Sequence, residues 1–279
     1  MTEVSMLLDD PELNHRSPGE EFALAHARHG AKAVVELRAA ISDLFPPSRR
    51  RPRFTVRHLL RKAVVDADEV TVFRERAEDV AEVDAAPEWK FQVGTEEVRV
   101  QTIRAAVPVP PRILADPAAL AAFVDYRLLV RLGTAENDVL LNGGGTEGIR
   151  GLLRTPGLRR KEPVGDTART LLATAALCEW YGGSADGIVM HPDDWWPLLA
   201  EGAFLERLGA QGVKVSRTRM IPSGTALVGD FTAAATLLDR RSSTIRLAGD
   251  ELVAEIREGL AVHLPGHFVL ATLTGDEPS

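Results

Sequence analysis

The densest set of ligand-type side chains lies in His191-Pro192-Asp193-Asp194-Trp195-Trp196, where one imidazole and two carboxylates fall within four residues. Such a set could hold a divalent cation and activate water. Neighbouring positions on a tight turn diverge, however, and Asp193 or Asp194 is equally suited to cap a short helix. His263 and His267 stand four apart, but Pro265-Gly266 between them predicts a turn in place of a helix. His26 and His29 lie three apart without a third ligand nearby and read as a solvated helix face. Cys178, the single cysteine, sits in LLATAALCEW without a local base to lower its pKa, which favours packing over nucleophilic chemistry.

Asn142-Gly143-Gly144-Gly145 has the glycine content of a phosphate loop but lacks the lysine and hydroxyl of a Walker sequence, and it follows a helix where a phosphate loop precedes one. It reads as a helix stop. No Gly-x-Ser-x-Gly elbow occurs. Carboxylates are numerous, yet spacing alone singles out no acid and base pair.

The elements that must position these residues belong to a chain of 279 residues, 45% hydrophobic, enough for one large domain or two interleaved ones. One cysteine excludes an intramolecular disulfide and fits a cytoplasmic protein. The start of the sequence lacks the basic and apolar regions of a signal peptide, and no apolar run approaches the roughly 20 residues of a membrane span. A soluble protein is expected. Net charge is −7, and the cluster Arg49-Arg50-Arg51-Pro52-Arg53 alone does not make a basic nucleic-acid face.

Apolar positions Phe22, Ala25, Val34, Leu37, Ile41 and Leu44 predict a helix over 19–45, ended by Pro46-Pro47. Strands are expected over 64–73 and 89–107, with the acidic, turn-prone stretch 74–88 between them. Such a two-stranded ribbon is marginal alone and implies a partner. Asp116-Pro117 starts a long helix to Leu141, roughly 38 Å in length. Beyond it, helices over 166–181 and 192–199 alternate with strands over 187–190, 213–215, 227–229, 244–247, 251–257 and 268–273, an α+β pattern. A terminal appendage, a long ribbon and scattered reactive groups suggest an assembly protein.

The segment from Trp89 to Leu153 resembles the Hong Kong 97-type major capsid proteins of tailed phages. The likeness is carried by a strand returning from an extended loop, a proline turn, an Asp-started helix, and the stop Leu141-Asn142-Gly143-Gly144-Gly145-Thr146 followed by Gly151-Leu152. It continues in Gly165-Asp166-Thr167, Gly187 to Trp195, Val228-Gly229-Asp230-Phe231 and Arg257 to Pro265. The resemblance implies an N-terminal helical extension (1–48), an N-arm (49–63), an extended loop (64–107), a peripheral domain with a spine helix (108–155 and 244–279) and an axial domain (156–243).

From the same resemblance come the expected sites. Val72, Arg74, Trp89, Phe91 and Val98 are the inter-subunit contacts of the extended loop. Gly202, Gly209 and Gly212, in the loop 201–212, are the pore rim, and Phe22, Leu37 and Ile41 are the lumen-facing or cargo-binding helix face. Val83 to Pro87 holds no lysine for cross-linking of the kind some phage members make. The compact size is similar to encapsulins, so the resemblance implies a closed shell of roughly 60 or more copies of this chain enclosing a cargo enzyme. It implies no cofactor, no membrane and no sequence-specific contact with nucleic acid. A phage or prophage capsid packaging DNA is the alternative, and a metalloenzyme using His191, Asp193 and Asp194 the competing reading.

Overall fold

A computed structural model describes residues 5–6, 16–37, 55–76, 93–144 and 148–273. The chain begins with β1 (Ser5–Met6) and α1 (Pro18–His29). Ser17 opens α1 with a capping box: its Oγ accepts the Glu20 amide, and its own amide donates to Glu20 Oε2. The helix expected to run to residue 45 stops at His29. Gly30 takes a φ of +56°, a value suited to glycine, and the β-branched pair Val34-Val35 then favours β2 (Val34–Leu37). Leu37 is therefore a buried strand residue, Phe22 is buried in the main core rather than facing outward, and Ile41 lies outside the described residues.

After α2 (Val56–Leu59), the run expected over 64–73 divides into β3 (Arg61–Val64) and β4 (Glu69–Glu75). That expected over 89–107 divides into β5 (Val93–Arg99) and β6 (Gln101–Pro108), on either side of Val100. A single turn, α3 (Pro111–Leu114), leads to the spine: α4 (Pro117–Phe123), a π-helical turn over Val124–Leu128, and α5 (Leu129–Asn142). Asp116 Oδ1 accepts the amides of Ala118 and Ala119 at 3.0 and 3.2 Å, as an N-cap must. Gly143, with φ of +81°, ends the spine.

The remainder comprises β7 (Arg159–Lys161), α6 (Thr167–Trp180), β8 (Gly187–Met190), α7 (Pro192–Trp195), α8 (Gly202–Ala210), β9 (Lys214–Arg217), β10 (Thr225–Gly229), α9 (Phe231–Ala234), β11 (Ala235–Ala248), β12 (Glu251–Val262) and β13 (Phe268–Thr272).

Among the described residues the strands form three sheets. The largest runs β1-β2-β11-β12-β6, with β3 also on β11. β11 carries β3 in parallel along residues 236–239 and β2 antiparallel along 243–246; the register shift between Asp239 and Ser243 separates the two pairings. A five-stranded sheet runs β7-β13-β10-β8-β9, and β4 pairs with β5 as a hairpin. Sheet membership crosses the boundary expected at residue 243: β13 lies in the five-stranded sheet with β8 and β10, while the first half of β11 pairs in the larger one. Both follow from backbone pairing, which residue order does not reveal. The main core joins α1, the spine and the larger sheet; a second core packs α6 and α8 on the smaller sheet.

Candidate functional site

The β4–β5 hairpin alternates in the way a strand pair with one covered face must. Its register opposes Val70 to Val98 and Val72 to Glu96. On that face Val72 is only 8% exposed, packed with Val100, Leu238 and Ala261, and Val70 and Val98 are half-buried against the same group. Arg74 donates to Glu96 at 2.6 Å and to the Pro156 carbonyl at 3.1 Å, and Arg150 reaches the other Glu96 oxygen at 3.2 Å. Asp68, before β4, pairs with Arg257 of β12 at 2.9 Å. His263 bonds the Phe73 carbonyl and the Thr236 hydroxyl, each at 2.9 Å, and its carbonyl accepts the Glu75 amide at 2.8 Å.

The base of the ribbon is thus held by its own chain. Val72, Arg74 and Val98, expected at an inter-subunit contact, lie on this inward face; Trp89 and Phe91 lie outside the described residues. The outward face carries Phe73, 71% exposed, and Val93, 52% exposed. Alternation identifies the two faces from sequence, but only the packing of Leu238 and Ala261 decides which is covered.

Between hairpin base and spine end, a polar cleft of about 560 Å³ is lined by Glu96, Arg99, Arg150, Arg154 and the backbone of Gly143 and Gly144. Gly143 therefore stops the spine beside the base of the hairpin. Gly151 lets the chain pass close against this stop: a Cβ there would fall 2.3 Å from the Gly143 nitrogen.

The loop expected at 201–212 is largely a helix, α8. Gly202 is its first residue, Gly209 lies in its last turn, and Gly212 follows with φ of +76°. FLERL within the segment is a helix-forming run that the three glycines obscure.

His191, Asp194, His263 and Cys178, among the side chains considered for catalysis, have structural partners. His191 Nδ1 accepts the Asp193 amide at 3.2 Å as the N-cap of α7, and Asp194 accepts the Ser223 hydroxyl and the Gly224 amide, both at 2.9 Å. His263 serves the hairpin, whereas His267 lies 4.0 Å from Asp230. Burial, then the nearby Asp230 carboxylate, pushes the Cys178 thiol up to about 12, and its Sγ donates to the His267 carbonyl at 3.2 Å. Among the described residues no three His, Cys, Asp or Glu side chains converge as a metal site would require.

One charged cluster escaped the sequence reading. Arg57 on α2, 1% exposed, donates to Glu136 of the spine at 2.6 Å, to Asp239 of β11 at 3.3 Å, and to Glu258 of β12. Beside it the Val56 amide donates to Asn137 Oδ1 at 3.0 Å. A signal for this cluster exists in the sequence. Glu136 interrupts the spine row Leu128, Leu132, Leu140, and Glu258 interrupts the strand row Ile256, Leu260, Val262.

A long spine helix ended by glycine and a two-stranded ribbon ahead of it are features that the resemblance implied. A profile of the phage capsid family matches residues 48–258. The chain belongs to the phage capsid family. This capsid-family chain is 26% identical over 253 residues to the major capsid protein of Enterobacteria phage HK97, covering 80% of its own length and 66% of that relative's. Its fold is similar to a virus-like particle protein from Pyrococcus furiosus, with a TM-score of 0.57, 14% identity, and coverage of 78% of this chain and 92% of that one. It is also similar to a chain from Mycobacterium phage Bobi, with a TM-score of 0.57, 14% identity, and coverage of 85% and 95%. The α+β fold is the Hong Kong 97 type, and family membership makes the chain a structural protein rather than an enzyme. No described helix is long and apolar enough to cross a membrane.

Proposed function

We propose that this chain is the major capsid protein of a tailed phage or prophage, assembling with its own copies into a shell that encloses DNA. The observation that carries this reading is the likeness to the HK97 major capsid protein over 80% of the chain. It displaces encapsulin as the first reading, because the curated relative is a phage capsid and size does not separate the two classes. The likeness to the Pyrococcus furiosus virus-like particle protein keeps a cargo-enclosing compartment as the second reading.

In either shell, the ribbon is the part that reaches a neighbour. Its base is fixed to β11 and β12, so the outward face with Phe73 and the following segment with Trp89 and Phe91 supply the inter-subunit contact. The end of α8, at Gly209 and Gly212, is the proposed rim of an axial opening.

The deciding experiment isolates particles containing this chain from cells that encode it, treats them with nuclease, and analyses their contents. Nuclease-protected DNA of uniform length is expected. Particles free of DNA but holding a stoichiometric second protein would contradict the capsid reading and favour a cargo compartment.

A further inference from the structure

The Arg57 cluster has an imbalance that a purely structural ion pair does not need. Among the described residues, three carboxylates, Glu136, Asp239 and Glu258, surround one guanidinium in an enclosed space. Ionised together, they would leave two negative charges uncompensated. Asp239 has further help, since its Oδ1 accepts the Arg241 amide at 2.7 Å, and its side chain is the most exposed of the three. Glu258 has the least. One oxygen bonds Arg57, and the other, Oε2, is enclosed without a hydrogen-bond partner among the described residues. A charge on that oxygen would be opposed by desolvation and by Glu136, so this is where a proton costs least to hold.

The cluster also sits at a junction. Arg57 is its sole contribution from α2, the short helix that follows the stretch 38–54; Glu136 comes from the spine; Asp239 and Glu258 come from β11 and β12. The Val56–Asn137 hydrogen bond is the neighbouring tie between α2 and the spine. We propose that the cluster is a proton-operated latch: with one proton resident on Glu258 it holds α2 against the spine and the larger sheet, and loss of that proton releases α2. This proposal goes beyond the shell reading and does not depend on it, because every group belongs to one chain.

The direction with pH follows from the charge. Burial first, and then repulsion from Glu136, raises the Glu258 carboxyl well above the usual carboxylate range, with Arg57 opposing and Asp239 adding to the rise. A carboxyl raised in the closed state holds its proton where the released state would lose it. The latch therefore binds more protons when closed, and closure weakens as pH increases from the ordinary carboxylate range upward through the raised value. Acid closes the latch and alkali opens it.

Hydrogen exchange on the full chain tests this between pH 5 and 9, with each rate divided by the intrinsic rate at that pH. Protection of the Val56–Leu60 amides is expected to fall at least about tenfold as pH increases, the effect of one pKa unit, while α6 stays within about threefold. In Glu258→Gln, which keeps a neutral side chain at every pH, the α2 profile should be flat. If that variant does not fold, Glu136→Gln, which removes the same excess charge, should be flatter than wild type. A pH-independent wild-type profile, a parallel fall at α6, or an unaltered fall in the folded variant would overturn the latch.

Discussion

The amide of Gly19 donates to Asp125 Oδ1 at 2.8 Å, joining the first turn of α1 to the π-helical turn of the spine. The approach is close: a Cβ on Gly19 would lie 2.1 Å from the Ala121 carbonyl oxygen, a backbone atom that cannot turn aside. The N-terminal helix is thus seated on the spine, with Phe22 buried in the shared core.

Gly19→Ala provides a test of that seating in which two effects have opposite signs. Alanine in a helix is ordinarily worth about 0.5–1 kcal/mol over glycine. Here the clash should dominate, and a net loss of about 1–3 kcal/mol is expected by urea denaturation of the full chain. Equal or greater stability would show that α1 does not pack this closely.

Removing Arg57 should be far costlier than removing an exposed arginine, because three enclosed carboxylates would lose their guanidinium. Arg57→Met is expected to cost about 3–5 kcal/mol. Combining it with Glu136→Met and Glu258→Leu should recover most of the loss, since an apolar cluster leaves few charges to desolvate. A single variant as stable as wild type contradicts this picture.

Adjacent positions of β4 should behave in opposite ways. Val72→Ser places a hydroxyl among Val100, Leu238 and Ala261 and should destabilise the monomer by about 1–3 kcal/mol. Phe73→Ser, on the outward face, should alter monomer stability by no more than about 0.5 kcal/mol while lowering particle yield in sedimentation. Undiminished assembly of Phe73→Ser would remove the proposed contact role of that face.

The Cys178 thiol, buried and pushed up to about 12, should stay unreactive towards a disulfide reagent at pH 8 in the native protein. One thiol per chain should react after denaturation. Rapid native labelling would mean that α6 opens readily from the smaller sheet.

Much of this fold was legible in local signals. Asp116-Pro117 and Asn142-Gly143 bound the spine because capping chemistry acts within a few residues, and the four apolar residues Ile188, Val189, Met190 and Val228 sit in strands where short buried runs placed them. What stayed hidden depends on distant partners. Nothing near Val72 indicates that Leu238 covers it, and nothing near Phe268 reveals pairing with β10. The end of α1 was closer to hand: Ser17, Glu20 and Gly30 mark both of its termini, but the apolar spacing beyond Gly30 imitates a continued helix. The Arg57 cluster lay in plain view as carboxylates within apolar rows, although its guanidinium is 79 residues from Glu136 and 201 from Glu258.

Self-assembly is the central claim, and negative-stain electron microscopy of the full chain expressed alone tests it most directly. Uniform hollow particles are the predicted result. Monomers or dimers alone, over a wide range of salt and protein concentration, would contradict it.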